Sequence, residues 1–405
     1  MIQSLLDTDL YKFTTSYAYK LLYPLAEGTF KFQDRGKRVY TDEEFKGLRS
    51  ELYKLGSASM SEAQFKYVCE NIPYITKDYW EWLKDTFRFD PMKIDCYLDE
   101  EKHLHIEVTD LMYKVTLYEV PILSIVSEFV FSKEKYDFSA TIEKLNDKIK
   151  LANEYHLVFS EFGTRRRCNS NIQRHVISIL KDKVPTFAGT SNVYYAAEFG
   201  LKAIGTYPHE WPMFHAAITG GYIEANNYAM EDWVKVYDGY LGTALIDAFT
   251  TPVFLKNFSK KLAHLFDGVR QDSGDEYKIG NMIIDRYKEL GIDPRKKFII
   301  FSNALDFEKY ADIARYFEGK IGVSAGIGTN LTNDPAVLKE EGEEPYKPSN
   351  IVMKLDKCRL NAKQDWHNCI KISDDAGKEM GNPSDVLMAK YQLGLIDHLN
   401  YLPNE

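Results

Sequence analysis

Short apolar runs alternate with amphipathic helical stretches from residue 156 to about residue 330. A strand, a helix and a second strand in this order need a crossover connection, so the pattern predicts parallel strands covered by helices. The predicted strands lie near residues 156–161, 185–188, 202–206, 243–247, 267–271, 298–302 and 320–325. Seven such units favour a closed or nearly closed α/β barrel, and an open doubly wound sheet is the alternative.

The remainder of the chain has a mixed pattern. Its predicted elements are helices over residues 8–23, 61–71 and 78–84 and strands over residues 93–97, 104–109 and 114–118. We therefore predict an N-terminal α+β domain over residues 1–120, joined by residues 350–405, and a barrel domain over residues 121–349. The length of 405 residues is sufficient for two domains.

Composition and charge exclude several classes of protein. The formal charge of −9 argues against non-specific binding to nucleic acid or to a membrane surface. The cysteines form no Cys-x-x-Cys pair, so the sequence suggests neither a disulfide framework nor a zinc site. The most apolar stretch, residues 120–131, is too short to span a membrane. Acidic residues at positions 7 and 9 argue against a signal peptide, and we expect a cytoplasmic protein.

Each predicted strand is followed by a polar loop. These loops cover residues 162–167, 189–192, 205–211, 247–250, 270–275, 302–306 and 325–330. In α/β barrels the active site lies on the loops that follow the carboxyl ends of the strands. The shared polarity of the loops therefore predicts one binding site at that face, suited to an anionic ligand.

Two loops have side chains or backbone typical of anion sites. Arg165, Arg166 and Arg167 place three guanidinium groups together, and each can bind two phosphate or carboxylate oxygens. A solvated charge run that opens the next helix is the structural alternative. Gly326 and Gly328 let backbone N–H groups face an anion, although a Gly-x-Gly sequence also occurs in plain tight turns.

A further loop combines a base, two carboxylates and a hydroxyl in the residues Arg270, Asp272, Ser273, Gly274 and Asp275. Paired carboxylates can bind ribose hydroxyls or a hydrated Mg²⁺. The alternative is a helix N-terminus with Ser273 as its cap.

His209 lies between a proline and a glutamate in the loop after the third predicted strand. An imidazole can act as a base, a metal ligand or a phosphoryl-accepting nucleophile, but a lone loop histidine usually has none of these roles. Tyr11, in the N-terminal helix, is by default an amphipathic core residue.

Taken together, these motifs resemble the nicotinate phosphoribosyltransferase family. The matching segments, in the order that the family has them, are residues 6–12, 162–167, 189–192, 205–206, 209–210, 272–275, 326–329 and 371–374. The resemblance extends over nearly the full chain. It implies an N-terminal mixed α+β domain on an irregular, incomplete α/β barrel of about seven strands. It also implies a homodimer in which Tyr11 reaches the neighbouring active site.

The reaction that the resemblance implies is attack of nicotinate on C1 of phosphoribosyl pyrophosphate, which yields nicotinate mononucleotide and pyrophosphate for NAD salvage. In the family, ATP hydrolysis is coupled through a phosphorylated histidine, and His209 is the matching position. Mg²⁺ and ATP are the implied cofactors. We therefore predict nicotinate, phosphoribosyl pyrophosphate and ATP as partners, and neither nucleic acid nor membrane.

Residue chemistry and the resemblance together give the candidate site. The catalytic residues are predicted to be His209, Arg165, Asp272 and Asp275. The substrate-binding residues are predicted to be Tyr11, Phe162, Ser191, Thr206, Arg270, Ser273, Gly274, Asn303, Gly326, Gly328, Thr329 and Lys371. Aromatic rings would sandwich nicotinate, arginine would bind its carboxylate, and the glycine loop would bind the 5′-phosphate.

Ser191 bears on the choice between the acid and the amide substrate. A relative that binds nicotinamide tends to have aspartate in this loop, where an acid would repel nicotinate, so Ser191 favours nicotinate. A nicotinamide phosphoribosyltransferase and a non-catalytic sensor of phosphoribosyl ligands are the alternatives. The metal ligands are left open by the sequence.

Overall fold

The computed structural model describes residues 1–340, 342–375 and 379–396. The C-terminal part predicted to join the N-terminal domain, residues 350–405, therefore lies partly outside the described residues.

Helices and strands alternate along the chain. The helices are α1 Leu10–Leu22, α2 Asp42–Lys54, α3 Glu62–Asn71, α4 Lys77–Glu81, α5 Met112–Val115, α6 Glu119–Phe131, α7 Phe138–Glu154, α8 Ser170–Lys183, α9 Val193–Phe199, α10 Glu210–Thr219, α11 Ala225–Tyr237, α12 Thr251–Asn257, α13 Lys260–Leu265, α14 Glu276–Glu289, α15 Phe307–Phe317, α16 Thr329–Thr332 and α17 Pro383–Gln392. The strands are β1 Glu27–Asp34, β2 Ile94–Leu98, β3 Leu104–Leu111, β4 Tyr136–Asp137, β5 Phe159–Glu161, β6 Phe187–Thr190, β7 Thr243–Leu245, β8 Gly268–Gln271, β9 Phe298–Phe301, β10 Gly322–Ile327, β11 Ala336–Val337, β12 Ile351–Arg359 and β13 His367–Asn368.

The predicted parallel strands form one six-stranded sheet in the order β6-β5-β10-β9-β8-β7. Every neighbouring pair in this sheet is parallel. Apolar side chains such as Phe159, Val269 and Ile299 are fully buried in it, as expected for strands covered by helices. The α/β fold class is therefore confirmed, and the carboxyl ends of these strands meet at one edge of the sheet.

The strand predicted over residues 202–206 is wrong. This segment forms only a single parallel bridge, between Thr190 and Ala203. Gly205 packs closely against the backbone of α1, and the Thr206 hydroxyl donates to the Thr243 carbonyl. These tertiary contacts hold the segment between β6 and β7 without the ladder of a strand. Closure of the sheet into a barrel stays a prediction.

The N-terminal and C-terminal segments build a second, antiparallel sheet in the order β13-β12-β1-β3-β2. β12 pairs with β1 along the whole length of both strands, from the Glu27–Arg359 pair to the Asp34–Ile351 pair. The strand predicted over residues 114–118 is wrong, because α5 and a 3₁₀ turn, Thr116–Tyr118, occupy it. Its side chains pack inward on more than one side, which a helical path permits and an edge strand does not.

The N-terminal segment before α1 docks on the loop that follows β6. The amides of Val193 and Tyr194 donate to the carbonyls of Thr8 and Leu6, and the Leu10 amide donates to the Ser191 carbonyl at 2.7 Å. These bonds fix the first turn of α1 at the carboxyl edge of the parallel sheet. No helix in the described ranges has the length and apolar character needed to cross a membrane.

Candidate active site

A cavity of about 610 Å³ opens at the carboxyl edge of the parallel sheet. Most of the predicted site residues line it, namely Tyr11, Phe162, Arg165, Ser191, Thr206, His209, Arg270, Asp272, Asn303, Gly326, Gly328, Thr329 and Lys371. The structure thus brings together residues that are separated by up to several hundred positions in the sequence. Their individual roles stay predictions.

The remaining predicted residues, Ser273, Gly274 and Asp275, lie behind or beside the cavity. The Ser273 hydroxyl donates to Asp247 at 2.6 Å. Gly274 has a φ of +81°, which favours glycine at this turn. The exposed Asp275 carboxylate accepts from the Lys278 amide at 2.7 Å and caps α14. The segment does open a helix, as the structural alternative expected, but the cap is Asp275 and not Ser273. The catalytic role of Asp275 stays a prediction.

His209 is buried at the N-terminus of α10 and faces Asp247. Its Nε2 atom lies 3.1 Å from the Asp247 Oδ1 atom, and Lys371 Nζ lies 3.5 Å from Asp247 Oδ2. Burial and the Lys371 ammonium lower the pKa of His209 to about 4. The imidazole is therefore neutral near pH 7. Since a carboxylate only accepts hydrogen bonds, Nε2 carries the proton and Nδ1 carries the lone pair.

Asp247 was not among the predicted site residues. It follows β7 directly, in one of the polar loops at the carboxyl edge, and this position is the signal that could have identified it. Its side chain is fully buried, with one oxygen toward His209 and the other toward Ser273 and Lys371. Asp247 therefore connects three segments of the site.

Asp272 lies beside this cluster and is held by Arg270 and Ser302. The Arg270 Nη2 atom is 3.2 Å from Asp272 Oδ1, and the Ser302 hydroxyl donates to the same oxygen at 2.6 Å. Burial acts to raise the pKa of Asp272, but Arg270, His209 and Lys371 together lower it by more, so the net pKa lies below the ordinary value. The carboxylate is fixed, ionised and one quarter exposed to the cavity.

Donor atoms of His209, Asp247 and Asp272 lie within 4.8 Å of one another. Mg²⁺ prefers oxygen ligands and usually takes one or two carboxylates together with substrate phosphates and water. Both Asp247 oxygens already accept from neighbours, whereas Asp272 Oδ2 is 4.0 Å from His209 and faces the cavity. The donor set therefore fits Mg²⁺ best through Asp272 together with oxygens of a bound phosphate.

The three consecutive arginines have different surroundings. Arg167 is fully buried and makes two bonds to Asp7, at 2.7 and 3.0 Å, so it is structural. Arg165 lines the cavity, and no other described residue makes a hydrogen bond or ion pair with its guanidinium. Burial and the guanidinium groups of Arg165 and Arg35 lower the pKa of Arg166 to about 9. Arg35, Arg165 and Arg166 thus form a cluster of cations at one end of the cavity.

Phe162 lines the cavity and packs closely against the glycine loop. A Cβ atom added at Gly326 would lie 2.3 Å from the Phe162 ring, and one added at Gly328 would lie 3.0 Å from its carbonyl oxygen. Both glycines are therefore needed for this close approach. The Arg270 guanidinium carbon is 5.8 Å from the ring centroid, so a cation flanks the aromatic face.

Tyr11 and Asp9 enter the cavity from the N-terminal segment of the same chain. The resemblance predicted that Tyr11 would reach the site of a partner subunit, but the docking of α1 on the loop after β6 places it in its own cavity. The Ser191 hydroxyl donates to Asp9 Oδ1 at 2.8 Å. An acid therefore stands beside Ser191 after all, which weakens the argument that the loop composition alone selects nicotinate.

Buried charged side chains from α1, α6 and α10 contact one another in the wall of the cavity. Lys12 on α1 is fully buried, and its Nζ atom contacts the carboxylates of Glu119 and Glu210. Thr116 donates to Glu210 at 2.6 Å. Burial alone lowers the pKa of Lys12, but the two carboxylates raise it more, so Lys12 is charged. Glu119 and Glu210 line the cavity, and neither was predicted from the sequence.

Lys354 on β12 is a further cavity residue that the sequence analysis missed. Burial lowers the pKa of Lys354 to about 8. Because β12 comes from the C-terminal part of the chain and pairs with β1, only the tertiary fold brings this ammonium group to the parallel sheet. In the sequence, the signal for Lys354 is weak. It is a lysine in an otherwise apolar strand, at a position whose side chain points inward in the alternating pattern of the strand.

Comparisons with known proteins agree with the sequence motifs. The family model described as "Nicotinate phosphoribosyltransferase (NAPRTase) family" matches residues 157–395, and the model of the NAPRTase N-terminal domain matches residues 6–127. A nicotinate phosphoribosyltransferase of Chromohalobacter salexigens is 38% identical over 98% of this chain and 99% of its own length. One of Methanosarcina acetivorans is 37% identical over 97% of this chain and 98% of its own length.

Solved structures show the same similarity. The crystal structure of nicotinate phosphoribosyltransferase from Porphyromonas gingivalis has a TM-score of 0.92 and 44% identity, and the match covers 97% of this chain and 100% of that one. The nicotinate phosphoribosyltransferase structure from Vibrio cholerae has a TM-score of 0.92 and 32% identity, with 99% and 96% of the two chains covered.

Proposed function

This chain belongs to the nicotinate phosphoribosyltransferase family, and on that premise we propose that its cavity couples phosphoribosyl transfer to ATP hydrolysis through a phosphorylated His209. The activity that the family membership supports is formation of nicotinate mononucleotide in NAD salvage. The observation that carries the ATP coupling is the neutral, buried His209, hydrogen-bonded to Asp247 in the cavity that also holds the arginine cluster.

Nicotinate is a flat anion, and the cavity offers a matching aromatic and cationic site. We place its ring between Tyr11 and Phe162, where stacking excludes water from both faces. Arg270 flanks the Phe162 face and can bind the carboxylate, and Arg165 is the other candidate because no described residue makes a hydrogen bond or ion pair with its guanidinium. The pyridine nitrogen then points toward the middle of the cavity, where C1 of the ribose would lie.

Phosphoribosyl pyrophosphate carries two anionic ends. The backbone of Gly326, Gly328 and Thr329 suits the 5′-phosphate, since two glycines and a hydroxyl allow close approach of phosphate oxygens. The cluster of Arg35, Arg165 and Arg166 suits the pyrophosphate, because three guanidinium groups lie together and none forms a close ion pair with a carboxylate among the described residues. Asn303 also lines the cavity and can bind a ribose hydroxyl.

The transition state is oxocarbenium-like, with positive charge on the ribose ring and negative charge on the leaving pyrophosphate. The Asp272 carboxylate is fixed by two bonds and stabilises the positive charge, and the arginine cluster stabilises the negative charge. Mg²⁺, when bound by Asp272 and phosphate oxygens, would neutralise part of the pyrophosphate charge. Catalysis would thus come from positioning and from charges that are fixed before the reaction.

His209 is arranged as a phosphoryl acceptor. Asp247 holds the proton on Nε2, so the Nδ1 lone pair is free to attack the γ-phosphorus of ATP, and the bond to the β,γ-bridging oxygen breaks with ADP as leaving group. Asp247 stabilises the positive charge that the ring acquires. The Lys371 ammonium, 3.5 Å from Asp247, limits the accumulation of negative charge in this cluster. Hydrolysis of the phosphohistidine would then drive product release.

The test is to incubate the protein with Mg²⁺, phosphoribosyl pyrophosphate and labelled nicotinate, with and without ATP, and to measure mononucleotide. We expect product that rises with ATP in the wild type and ATP-independent product alone in His209→Ala. His264→Ala, an exposed histidine on α13, is the matched control and should respond to ATP as the wild type does. Normal ATP stimulation of His209→Ala would refute the coupling. Because Asp9 stands beside Ser191, nicotinamide should be included as competing substrate.

We also propose the predicted homodimer in the cytoplasm. Tyr11 lies in the cavity of its own chain, so we expect the activity per chain to be independent of the oligomeric state. Light scattering across a dilution series tests the homodimer. Activity measured on the same samples tests whether the activity per chain is independent of the oligomeric state.

A further inference from the structure

Glu161, the last residue of β5, is fully buried and makes no contact with the cavity. Its Oε1 atom accepts from the Gly163 amide and from Gln173 Nε2 at 3.1 Å. Its Oε2 atom accepts from the Thr190 hydroxyl at 2.5 Å. No lysine or arginine in the described ranges pairs with it, so three neutral donors compensate for the burial of this carboxyl group.

Two of these donors lie where neighbouring parallel strands end, and the third, Gln173, lies on α8. Gly163 lies in the loop after β5, directly after Phe162, whereas Thr190 ends β6 directly before Ser191. The Thr190 hydroxyl also accepts from the Asn192 amide at 3.0 Å, so it fixes the turn that carries Ser191. Gln173 donates both to Glu161 and to Thr164 Oγ1 at 3.0 Å. The Glu161 side chain is thus a cross-link between the two loops, located behind the cavity wall.

We propose that Glu161 is a positioning residue that sets the distance between the Phe162 ring and the Ser191 loop, and thereby the affinity for the pyridine substrate. The inference rests on the proposed placement of nicotinate between Phe162 and Tyr11, because the first turn of α1, which carries Tyr11, is anchored on the Ser191 loop. The ring of a flat substrate tolerates little change in the width of its slot, since a gap of 0.5–1 Å forfeits a quarter to a half of the dispersion energy. Glu161 does not touch the reacting atoms.

The role belongs to the hydrogen bonds and does not require the negative charge. Burial raises the pKa of Glu161 to about 7, so its protonated form can donate to Thr190 instead of accepting from it. A glutamine has the same shape and can keep Oε1 toward Gly163 while its amide donates to the Thr190 oxygen. Methionine has a similar volume and cannot make either bond. Glu161→Gln and Glu161→Met therefore separate bridging from mere filling of the space.

The purely structural alternative is that Glu161 only stabilises the fold. In that case the variants would lower the melting temperature and the active fraction, but the surviving enzyme would bind nicotinate normally. A second pair of variants tests this at the other end of the bridge. Thr190→Val keeps the shape of the side chain and removes the hydroxyl, and Thr190→Ser restores the hydroxyl.

The experiment measures KM for nicotinate, KM for phosphoribosyl pyrophosphate, kcat and melting temperature in the full-length chain. Loss of one bridging bond worth about 1 kcal/mol predicts a rise of about fivefold in KM for nicotinate. We expect this rise in Thr190→Val, a larger rise in Glu161→Met, which loses all the bonds of the Glu161 side chain, and near-normal values in Thr190→Ser and Glu161→Gln. KM for phosphoribosyl pyrophosphate should change by less than about twofold in all four, because its site lies on other loops.

Two results would overturn the proposal. An unchanged KM for nicotinate in Thr190→Val, with a lower melting temperature, would leave Glu161 a stabilising residue only. Equal defects in Glu161→Gln and Glu161→Met would assign the effect to the charge and not to the bridge. If Glu161→Met does not fold, the two Thr190 variants decide. Absence of turnover in the wild type would instead count against the proposed function, and calorimetric binding of nicotinate to the same variants would then decide on the bridge.

Discussion

Replacing Lys12 by methionine removes the ammonium that stands between the Glu119 and Glu210 carboxylates. The Lys12 side chain has no exposed surface, and its Nζ atom also lies 3.2 Å from the Thr116 hydroxyl. Methionine fills a similar volume, so the variant isolates the loss of charge from the loss of packing. Two buried carboxylates would then face each other without a cation, at the point where α1, α6 and α10 meet.

The magnitude follows from the burial of the group. Removing one partner of a buried ion pair costs about 3–5 kcal/mol, because the remaining charge is left without compensation. We expect Lys12→Met to lose about this much free energy of unfolding at pH 8, measured by urea denaturation. Lys54→Met is the matched control, since Lys54 makes a 2.6 Å pair with Glu51 on the exposed surface of α2. It should cost at most about 1 kcal/mol.

Two further measurements test whether the loss of stability comes from the uncompensated charges of Glu119 and Glu210. Adding Glu119→Gln and Glu210→Gln to Lys12→Met should recover most of the lost stability, because the neutral set needs no counter-ion. In Lys12→Met alone, burial without a cation raises the carboxylate pKa values in the folded state. The folded variant therefore binds more protons than the unfolded chain, and its deficit should shrink as the pH is lowered from 8 to 5. A deficit below 1 kcal/mol, or one that the two glutamines deepen, would refute the reasoning.

Other predictions concern the cavity. Gly326→Ala should raise KM for nicotinate by about tenfold or more, since the new Cβ lies 2.3 Å from the Phe162 ring and must displace it. Steady-state kinetics test this prediction. An unchanged KM would mean that the Phe162 ring does not bind the substrate. Arg167→Met should lose about 3–5 kcal/mol of stability, because its buried partner Asp7 is left without a cation. Arg165→Met should keep most of its stability and lose most of its activity. Urea denaturation and turnover assays on both variants measure the difference. The pKa of His209 is near 4 in the folded chain against an ordinary value of 6.5, so the unfolded chain binds more protons between these pH values. As the pH is lowered from 6.5 to 4, the free energy of unfolding should therefore decrease by up to about 3 kcal/mol relative to that of His209→Gln. Parallel pH profiles of the two proteins would contradict the buried neutral imidazole.

The parallel sheet and its polar edge could be predicted because both depend on local pattern. Strands buried on two faces read as apolar runs, and the loops after them read as polar clusters. The segment 202–206 has the same kind of apolar run but is not a strand. Contacts with α1 and Thr243 bury it, and such long-range contacts cannot be detected from local sequence periodicity. The stretch 114–118 was misread as a strand because a short run has too few residues to separate period two from period 3.6.

A position in a loop at the carboxyl edge was the signal for most of the predicted cavity residues, whereas Tyr11 and Lys371 were predicted from the family resemblance. Arg165, His209 and Asp272 satisfy this condition and were predicted, and Asp247 satisfies it and was overlooked. Lys354 does not, because it reaches the cavity through the second sheet. Lys12 resembles any charged residue of an amphipathic helix until α6 and α10 are packed around it. Long-range contacts of this kind need the tertiary structure.

The pairing of β12 with β1 has a consequence for how the protein is made. Arg359 on β12 bonds Glu27 on β1 across 332 residues of chain. Ribosomes release the N-terminal end first, so β1 keeps one unpaired edge until β12, residues 351–359, has emerged. Such an edge is a template for pairing with other chains, and closing so long a loop is slow. The nascent chain is therefore exposed to aggregation late in its synthesis, and a chaperone that shields β1 should raise the yield of folded protein.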